Sequence, residues 1–266
     1  MWLTVEHVTR FSYDAPIADA YTELRLKPAH RDGQRCSSFT LETEPRRTTI
    51  DAYVDRFGST VHHFDVLEVH ERLVVTARSE VWTSEGFTDP TPPLPLDRWD
   101  FLAPSRYVPE DAEIDELGAL ETSAPDPEVA ARELMRVVRS ALVYERGSTD
   151  VYTTAAEALV HGRGVCQDFA HVMIGACRAR GIPARYVSGY LHDPDSGGAG
   201  ESHAWVDVHV GEDGWLSLDP THDTEQTDRY VRVGVGRDYG DVPPSRGVYR
   251  GSADETLEVA VTIREP

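Results

Sequence analysis

Residues 162–190, "GRGVCQDFAHVMIGACRARGIPARYVSGY", bring two glycines, a cysteine, an apolar run and a β-branched, aromatic tail into one short stretch. Gly164 interrupts the chain, and the segment from about Cys166 to Arg180 then reads as a helix stopped by Gly181 and Pro183. Val165, Phe169, Ala170, Val172, Met173, Ile174 and Ala176 spread around nearly its whole circumference, so the helix is expected to be buried. "ARYVSGYL" (184–191) follows as a strand. Cys166 thereby falls in the first turn of a buried helix, among unpaired backbone N–H groups and at the positive end of the dipole. Both effects favour a thiolate, and the same N–H groups can receive a developing oxyanion. A lone cysteine serves as readily as a small core residue, so a catalytic reading needs a base and a group to orient it.

In "SHAWVDVHV" (202–210), strand alternation points Ala204, Val206, Val208 and Val210 to the core and His203, Trp205, Asp207 and His209 to the other face. His171, five residues beyond Cys166 on the helix, lies about 140° around the axis and faces elsewhere. His203 opens its strand and is the better base. In "GWLSLDPTH" (214–222), Leu216 and Leu218 face the core while Trp215, Ser217 and Asp219 face away. A three-residue turn at 211–213 would pair Val210 with Gly214 and set Asp219 opposite Trp205. Asp219 then becomes the same-face diagonal neighbour of His203, about 7 Å away; a slip of one residue would put them on opposite faces. A thiol, an imidazole and a carboxylate so arranged have the logic of nucleophile, base and orienting group.

Outward from this stretch, "LTVEHVTRFSY" (3–13), "SSFTLETEP" (37–45), "IDAYVDRFGSTVHHFDV" (50–66) and "ERLVVTARSEVW" (71–82) alternate apolar and polar residues, with "RFGST" as a hairpin turn. They predict an antiparallel β-sandwich over 1–85. "TSEGFTDPTPPLPLD" (83–97) is rich in proline and turn residues and marks a connection, taken as 86–125. Asp126 and Pro127 then start a helix with Val129, Leu134, Val137, Val138 and Leu142 as its stripe, and Thr154 with Glu157 forms a capping box for a short helix ending near Gly162. After the buried helix come three strands and the alternating end of "GVYRGSADETLEVAVTIRE" (247–265). The expected class is α+β: a β domain, then residues 126–266 as helices packed on an antiparallel sheet.

The chain has 266 residues and a formal net charge of −20. Such a field opposes sequence-independent binding to nucleic acid or to anionic membranes. No apolar run approaches the roughly 18 residues of a membrane span, and the first residues lack a basic region followed by an apolar one, which leads us to expect a cytoplasmic protein. Cysteines 36, 166 and 177 make no disulfide framework. On one helix Cys166 and Cys177 lie about 16 Å apart, too far for a bridge or a shared metal. His171, His192 and His222 have no short ligand-pair spacing, so no metal is expected.

"GVCQDFAHVMIGACRARGIPARYVSGYL", "SHAWVDV" and "GWLSLDPT" resemble the three motifs of the transglutaminase-like superfamily in its compact prokaryotic branch. "EHVTRFSYDAPI" (6–17) and "DRFGSTVHHF" (55–64) resemble the bacterial N-terminal β domain that often precedes that core. The resemblance implies a papain-like core with Cys166 as nucleophile, His203 as base and Asp219 as its partner. It implies acyl transfer from a peptide or glutamine-type amide through a thioester, without metal or organic cofactor and with a peptide or protein substrate. Hydrolysis ranks ahead of cross-linking; a catalytically inactive binding module is the alternative. Two neighbours complete the candidate set: Tyr144, whose hydroxyl could assist the oxyanion, and Trp205, which could line the substrate groove.

Overall fold

A long first strand organises the N-terminal part of the chain. In the computed structural model, which describes residues 1–31, 33–47, 49–85, 95–119, 126–196, 198–211 and 214–266, β1 runs from Trp2 to Leu24. It is longer than the expected 3–13, because it serves two sheets in succession. Its first half lies between β5 (His70–Thr83) and β14 (Glu255–Arg264), with β2 (Gln34–Glu44) outside β5. The register breaks between Ser12 and Ile17, where Pro16 has no N–H to give to a ladder. Past the break β1 pairs with β4 (Thr60–Val66) on one side and β13 (Ser245–Arg250) on the other, and β3 (Asp51–Val54) completes that edge. The bend folds an antiparallel half-barrel around Phe11, Ile17, Leu24, Phe64, Leu73 and Val75.

The "RFGST" turn between β3 and β4 forms as its residues require. The Asp55 carboxylate accepts from Phe57 N at 3.0 Å and Ser59 N at 2.9 Å, and Gly58 takes φ 85°. The proline-rich stretch falls largely on 86–94, outside the described residues.

Helices α1 (Pro95–Asp100), α2 (Ala112–Ala119), α3 (Pro127–Ala141), α4 (Ala155–His161) and α5 (Cys166–Ala179) follow. Asp126 caps α3; Leu134, Val138 and Leu142 of the expected stripe are buried, Val129 is exposed, and Ala130, Ala131 and Met135 complete the packed face. At α4 the capping box forms, Thr154 N donating to the Glu157 carboxylate at 2.8 Å and Thr154 accepting from Glu157 N at 3.3 Å. Two short strands, β6 (Val143–Tyr144) and β7 (Arg163–Gly164), pair in parallel and lead the chain into α5.

The helices pack on a second antiparallel sheet in the order β11-β10-β9-β8-β12, formed by β8 (Ala184–Leu191), β9 (Ala199–His209), β10 (Trp215–Asp219), β11 (Thr224–Glu225) and β12 (Tyr230–Gly236). Ala204, Val206, Val208, Leu216 and Leu218 meet α5 in one core with Leu134, Val138 and Phe169. α5 is buried on all sides from Gln167 to Cys177, as its composition predicts. The two sheets are continuous, because Gly200 and Ala199 at the start of β9 pair with Val261 and Thr262 of β14. Gly200 permits that contact, since a Cβ there would sit 2.5 Å from Ile263 Cγ1. The fold is α+β: an antiparallel half-barrel, then helices packed on a second antiparallel sheet. No helix among the described residues is long and apolar enough to cross a membrane.

The second sheet is buried on its other face too, and there it carries charge. Asp207 accepts from Arg185 Nε at 2.8 Å, Ser217 Oγ at 2.6 Å, and both terminal nitrogens of Arg232. Arg185 lies over the Trp215 ring at 4.1 Å, and the Arg232 backbone is bracketed by Gln34 of β2, which accepts from its N–H at 2.7 Å and donates to its carbonyl at 2.8 Å. Burial alone would raise the Asp207 pKa, but the two guanidinium groups hold it far below the carboxylate range. Its contribution is therefore present wherever an unfolded aspartate is ionised, above about 3.9, and is lost in strong acid. Asp207→Ala strands two arginines in a closed site, and we expect a loss of about 3–5 kcal/mol in folding stability. Urea unfolding at neutral pH measures it; a loss under about 1 kcal/mol would show the cluster to be dispensable.

Candidate active site

α5 begins at Cys166 because the residues around it satisfy the first turn. Val165 N donates to Asp168 Oδ2 at 2.7 Å, and Thr149 Oγ1 donates to the same oxygen at 2.7 Å. Asp168 is buried, and that burial raises its pKa against these bonds. Gly164 is required here: a Cβ would lie 2.5 Å from Asp168 Oδ2. Gln167 Nε2 donates to Val151 O at 3.3 Å. Gln167 and Asp168 thus act locally, as tether and cap. The amides of Asp168 and Phe169 are taken by Val165 O, whereas those of Cys166 and Gln167 precede the first intrahelical acceptor. The half-buried Cys166 is the first residue of this turn.

The register of the second sheet is the expected one. Leu218 pairs with Val206 and Ser217 with Asp207, and Val210 N bonds Gly214 O at 2.8 Å, so Asp219 falls opposite Trp205 on the face shared with His203. His203 Nε2 and Asp219 Oδ2 are 2.7 Å apart. Hydrogen bonding and charge from the Cys166 thiol act on this ring along with those of Asp219; with Nε2 on the carboxylate, Nδ1 is its remaining nitrogen. Ring and acid, from β9 and β10, begin a chain of contacts centred on Asp219 Oδ2.

Electrostatics sharpen the arrangement. Burial pulls the His203 pKa down, but hydrogen bonds and charge from Asp219 and Cys166 outweigh it and raise the ring to about 10. The imidazolium is therefore the form that persists through neutral pH. Asp219 is fully buried; burial would raise it, yet its partners hold it well below the usual range. Those partners exceed what the sequence foretold. Besides His203, Asp219 Oδ2 accepts from His222 Nδ1 at 2.8 Å and the Tyr230 hydroxyl at 2.8 Å, while Oδ1 accepts from Thr221 N at 2.9 Å. The His222 contact lies three residues ahead in "DPTH" and was available to inspection. Tyr230 was not, because its strand β12 carried no readable signal.

Two sequence candidates stand apart from this chain of contacts. Trp205 is completely buried, its ring 6.2 Å from that of His203 at 22° and 5.3 Å from that of Tyr230; it supports the imidazole from beneath and does not wall an open groove. Tyr144 lies on β6, whose partner Gly164 is two residues before Cys166. It is partly exposed, with its ring 6.5 Å from Phe169. His171 points away from Cys166, as its helical phase requires. Burial pushes its pKa down to about 3, and the neutral ring accepts from Tyr239 N at 3.1 Å and stacks on Tyr107 at 5.6 Å. His203, Asp219 and His222 place ligand atoms within 4.8 Å of one another, a spacing suited to a metal ion. Here Asp219 Oδ2 lies within hydrogen-bonding distance of one nitrogen of each ring, His203 Nε2 at 2.7 Å and His222 Nδ1 at 2.8 Å.

Comparison with known proteins adds the relatives. A family model described as "Transglutaminase-like superfamily" matches residues 118–220, and one described as "Bacterial transglutaminase-like N-terminal region" matches residues 3–82. The chain is 37% identical over 278 residues to protein ML0607 of Mycobacterium leprae, covering 99% of both. A segment of 101 residues, 33% of this chain, is 37% identical to 15% of the protein-glutamine gamma-glutamyltransferase of Pseudomonas aeruginosa. The fold matches a solved structure from Cytophaga hutchinsonii, described as that of a candidate cysteine protease, with a TM-score of 0.79 at 21% identity, covering 100% of this chain and 91% of that one.

Proposed function

Because this chain belongs to the transglutaminase-like superfamily, in its compact prokaryotic branch with the bacterial N-terminal region, we propose that it is a cysteine-dependent acyl-transfer enzyme acting on peptide or glutamine-type amides. The observation that supports this reading is the 2.7 Å His203–Asp219 bond, on a ring whose pKa the Cys166 thiol also helps to raise. The Cys166 sulfur attacks the amide carbon, and the oxygen that gains charge is met by the free amides at the head of α5. Collapse of the tetrahedral species breaks the C–N bond as the His203 imidazolium gives its proton to the leaving amine, and an acyl thioester remains on Cys166. The now neutral His203 takes a proton from water, which attacks the thioester and restores the thiol. Asp219 keeps the proton-bearing Nε2 turned toward itself throughout.

Hydrolysis is the expected outcome, since water needs no binding site of its own and an amine acceptor does. The γ-glutamyl transferase name of one partial relative favours a glutamine side chain as donor. Tyr144, partly exposed beside the segment that leads into α5, remains the proposed second donor to the oxyanion.

Incubation of the protein with a glutamine-containing peptide and a primary amine, read by mass spectrometry, tests this. An acyl adduct on Cys166 and a glutamate-containing product are expected. Iodoacetamide below neutral pH should label Cys166 ahead of Cys177, whose thiol burial pushes up to about 12, and of Cys36, which burial also raises. Absence of any acyl adduct, with Cys166 labelled no faster than the other two, would return the chain to the inactive binding-module reading.

A further inference from the structure

A cleft of about 420 Å³ lies between the half-barrel and the helical core. Its floor includes Tyr107 and Tyr239, its core-side wall Val151 and Tyr152, and its opposite wall the consecutive residues 245–249 of β13. The floor is tied to the site already described. Val151 O holds the Gln167 side chain, Tyr239 N donates to His171 of α5, and Tyr239 packs against the same core as Cys166.

The β13 wall has two properties that point to an occupant. Among the described residues β13 pairs with β1 alone, so its other edge offers unpaired N–H and C=O groups. A strand that lines a cleft with consecutive residues, odd and even alike, presents that edge to it. Val248, 68% exposed, and Leu257, 48% exposed, leave the rim apolar. Strand addition is the recognition mode that uses such an edge: main-chain bonds hold the guest, and alternate side chains read its sequence.

Charge supplies the rest. The chain carries 46 acidic residues against 26 lysines and arginines. Arg106 and Arg246, both on this cleft, make no ion pair among the described residues; Arg106 lies over the Tyr107 ring at 5.3 Å. Glu255, the acid lining the cleft, is engaged by the Tyr13 hydroxyl. Two guanidinium groups on one cleft, neither in an ion pair among the described residues, suit carboxylates brought by a ligand.

We propose that this cleft binds the acyl-donor peptide as an added strand on the free edge of β13, with glutamate or aspartate side chains of the donor on Arg106 and Arg246. The inference rests on the proposed function for the identity of the guest as donor.

Binding to the Cys166→Ala protein separates the two. The probes are a fluorescein-labelled peptide with glutamate residues flanking one glutamine, and its counterpart with lysine flanks. We expect the acidic probe to bind at least about tenfold tighter, to slow amide exchange at residues 245–249, and to lose its advantage to the lysine probe in an Arg106→Glu, Arg246→Glu double variant. A reversal of preference cannot come from misfolding. Equal binding of both probes, a preference that survives the reversal, or unprotected β13 amides would overturn the proposal, as would sedimentation showing that a second copy of the chain fills this edge. Selective binding with no turnover by the unmodified protein would defeat the proposed function and leave the acidic-peptide site standing.

Discussion

Cys166→Ala is expected to lower turnover of a glutamine-containing peptide by about 10⁴-fold or more, down to the residual rate that donors and binding alone support. The residue is small and half-buried at the head of α5, and the cap of that helix comes from Asp168 and Thr149, so the melting temperature should hardly change. Cys166→Ser should be nearly as inactive, because a hydroxyl oxygen is a much weaker nucleophile than a thiol sulfur. Steady-state kinetics on purified proteins decide it: an alanine variant that keeps more than about a tenth of the activity would remove the thiol from the chemistry.

Asp219→Asn should cost about 10³–10⁴-fold while leaving the fold in place. Asp219 accepts four hydrogen bonds, three of them on Oδ2. An asparagine amide in that position would turn an N–H₂ toward donors that need an acceptor, and neutral His203 would then carry its proton on Nδ1, where it could not take one from the thiol. The pH profile should change as well. In the natural protein the His203 imidazolium, raised to about 10, should carry the proposed activity into the alkaline range. Without the Asp219 charge, burial dominates, and the alkaline limb should move to lower pH. The same shift governs stability: a raised histidine stabilises the fold fully below its unfolded value of about 6.5, and that contribution disappears as pH rises toward about 10. An Asp219→Asn protein with an unchanged limb and near-normal turnover would show that the carboxylate does not orient the ring.

The His203–Asp219 contact was readable in the sequence because each part had a local cause. Gly164 before Cys166, the apolar girth of α5 and the strict alternation of 203–210 and 214–219 all reflect near-neighbour geometry, and the three-residue turn then set the register. What depends on distant segments could not be read. β12, "YVRVGVG", is buried along its whole length. With both faces covered it shows no alternation, and Gly234 and Gly236 look like turn signals. Yet a Cβ at Gly234 would meet Ser59 Oγ at 2.5 Å, so that glycine answers to a residue of the half-barrel. Missing β12 hid both Tyr230, the third bond on Asp219 Oδ2, and Arg232, the core of the Asp207 cluster. Trp205 faces the same side as His203, as alternation requires, but the burial of that side comes from Tyr230 and Val235, again on the unread strand.

The pairing of β1 with β14 sets Thr4 against Arg264, which means the half-barrel cannot be finished until segments at opposite ends of this sequence find each other. Closing so large a loop is entropically slow, and a nascent chain would hold β1 with one flank bare while the helices and the second sheet are still being made. Ribosome-bound intermediates should thus be sticky along that flank, and chaperones that shield open strand edges would be the natural attendants of its synthesis.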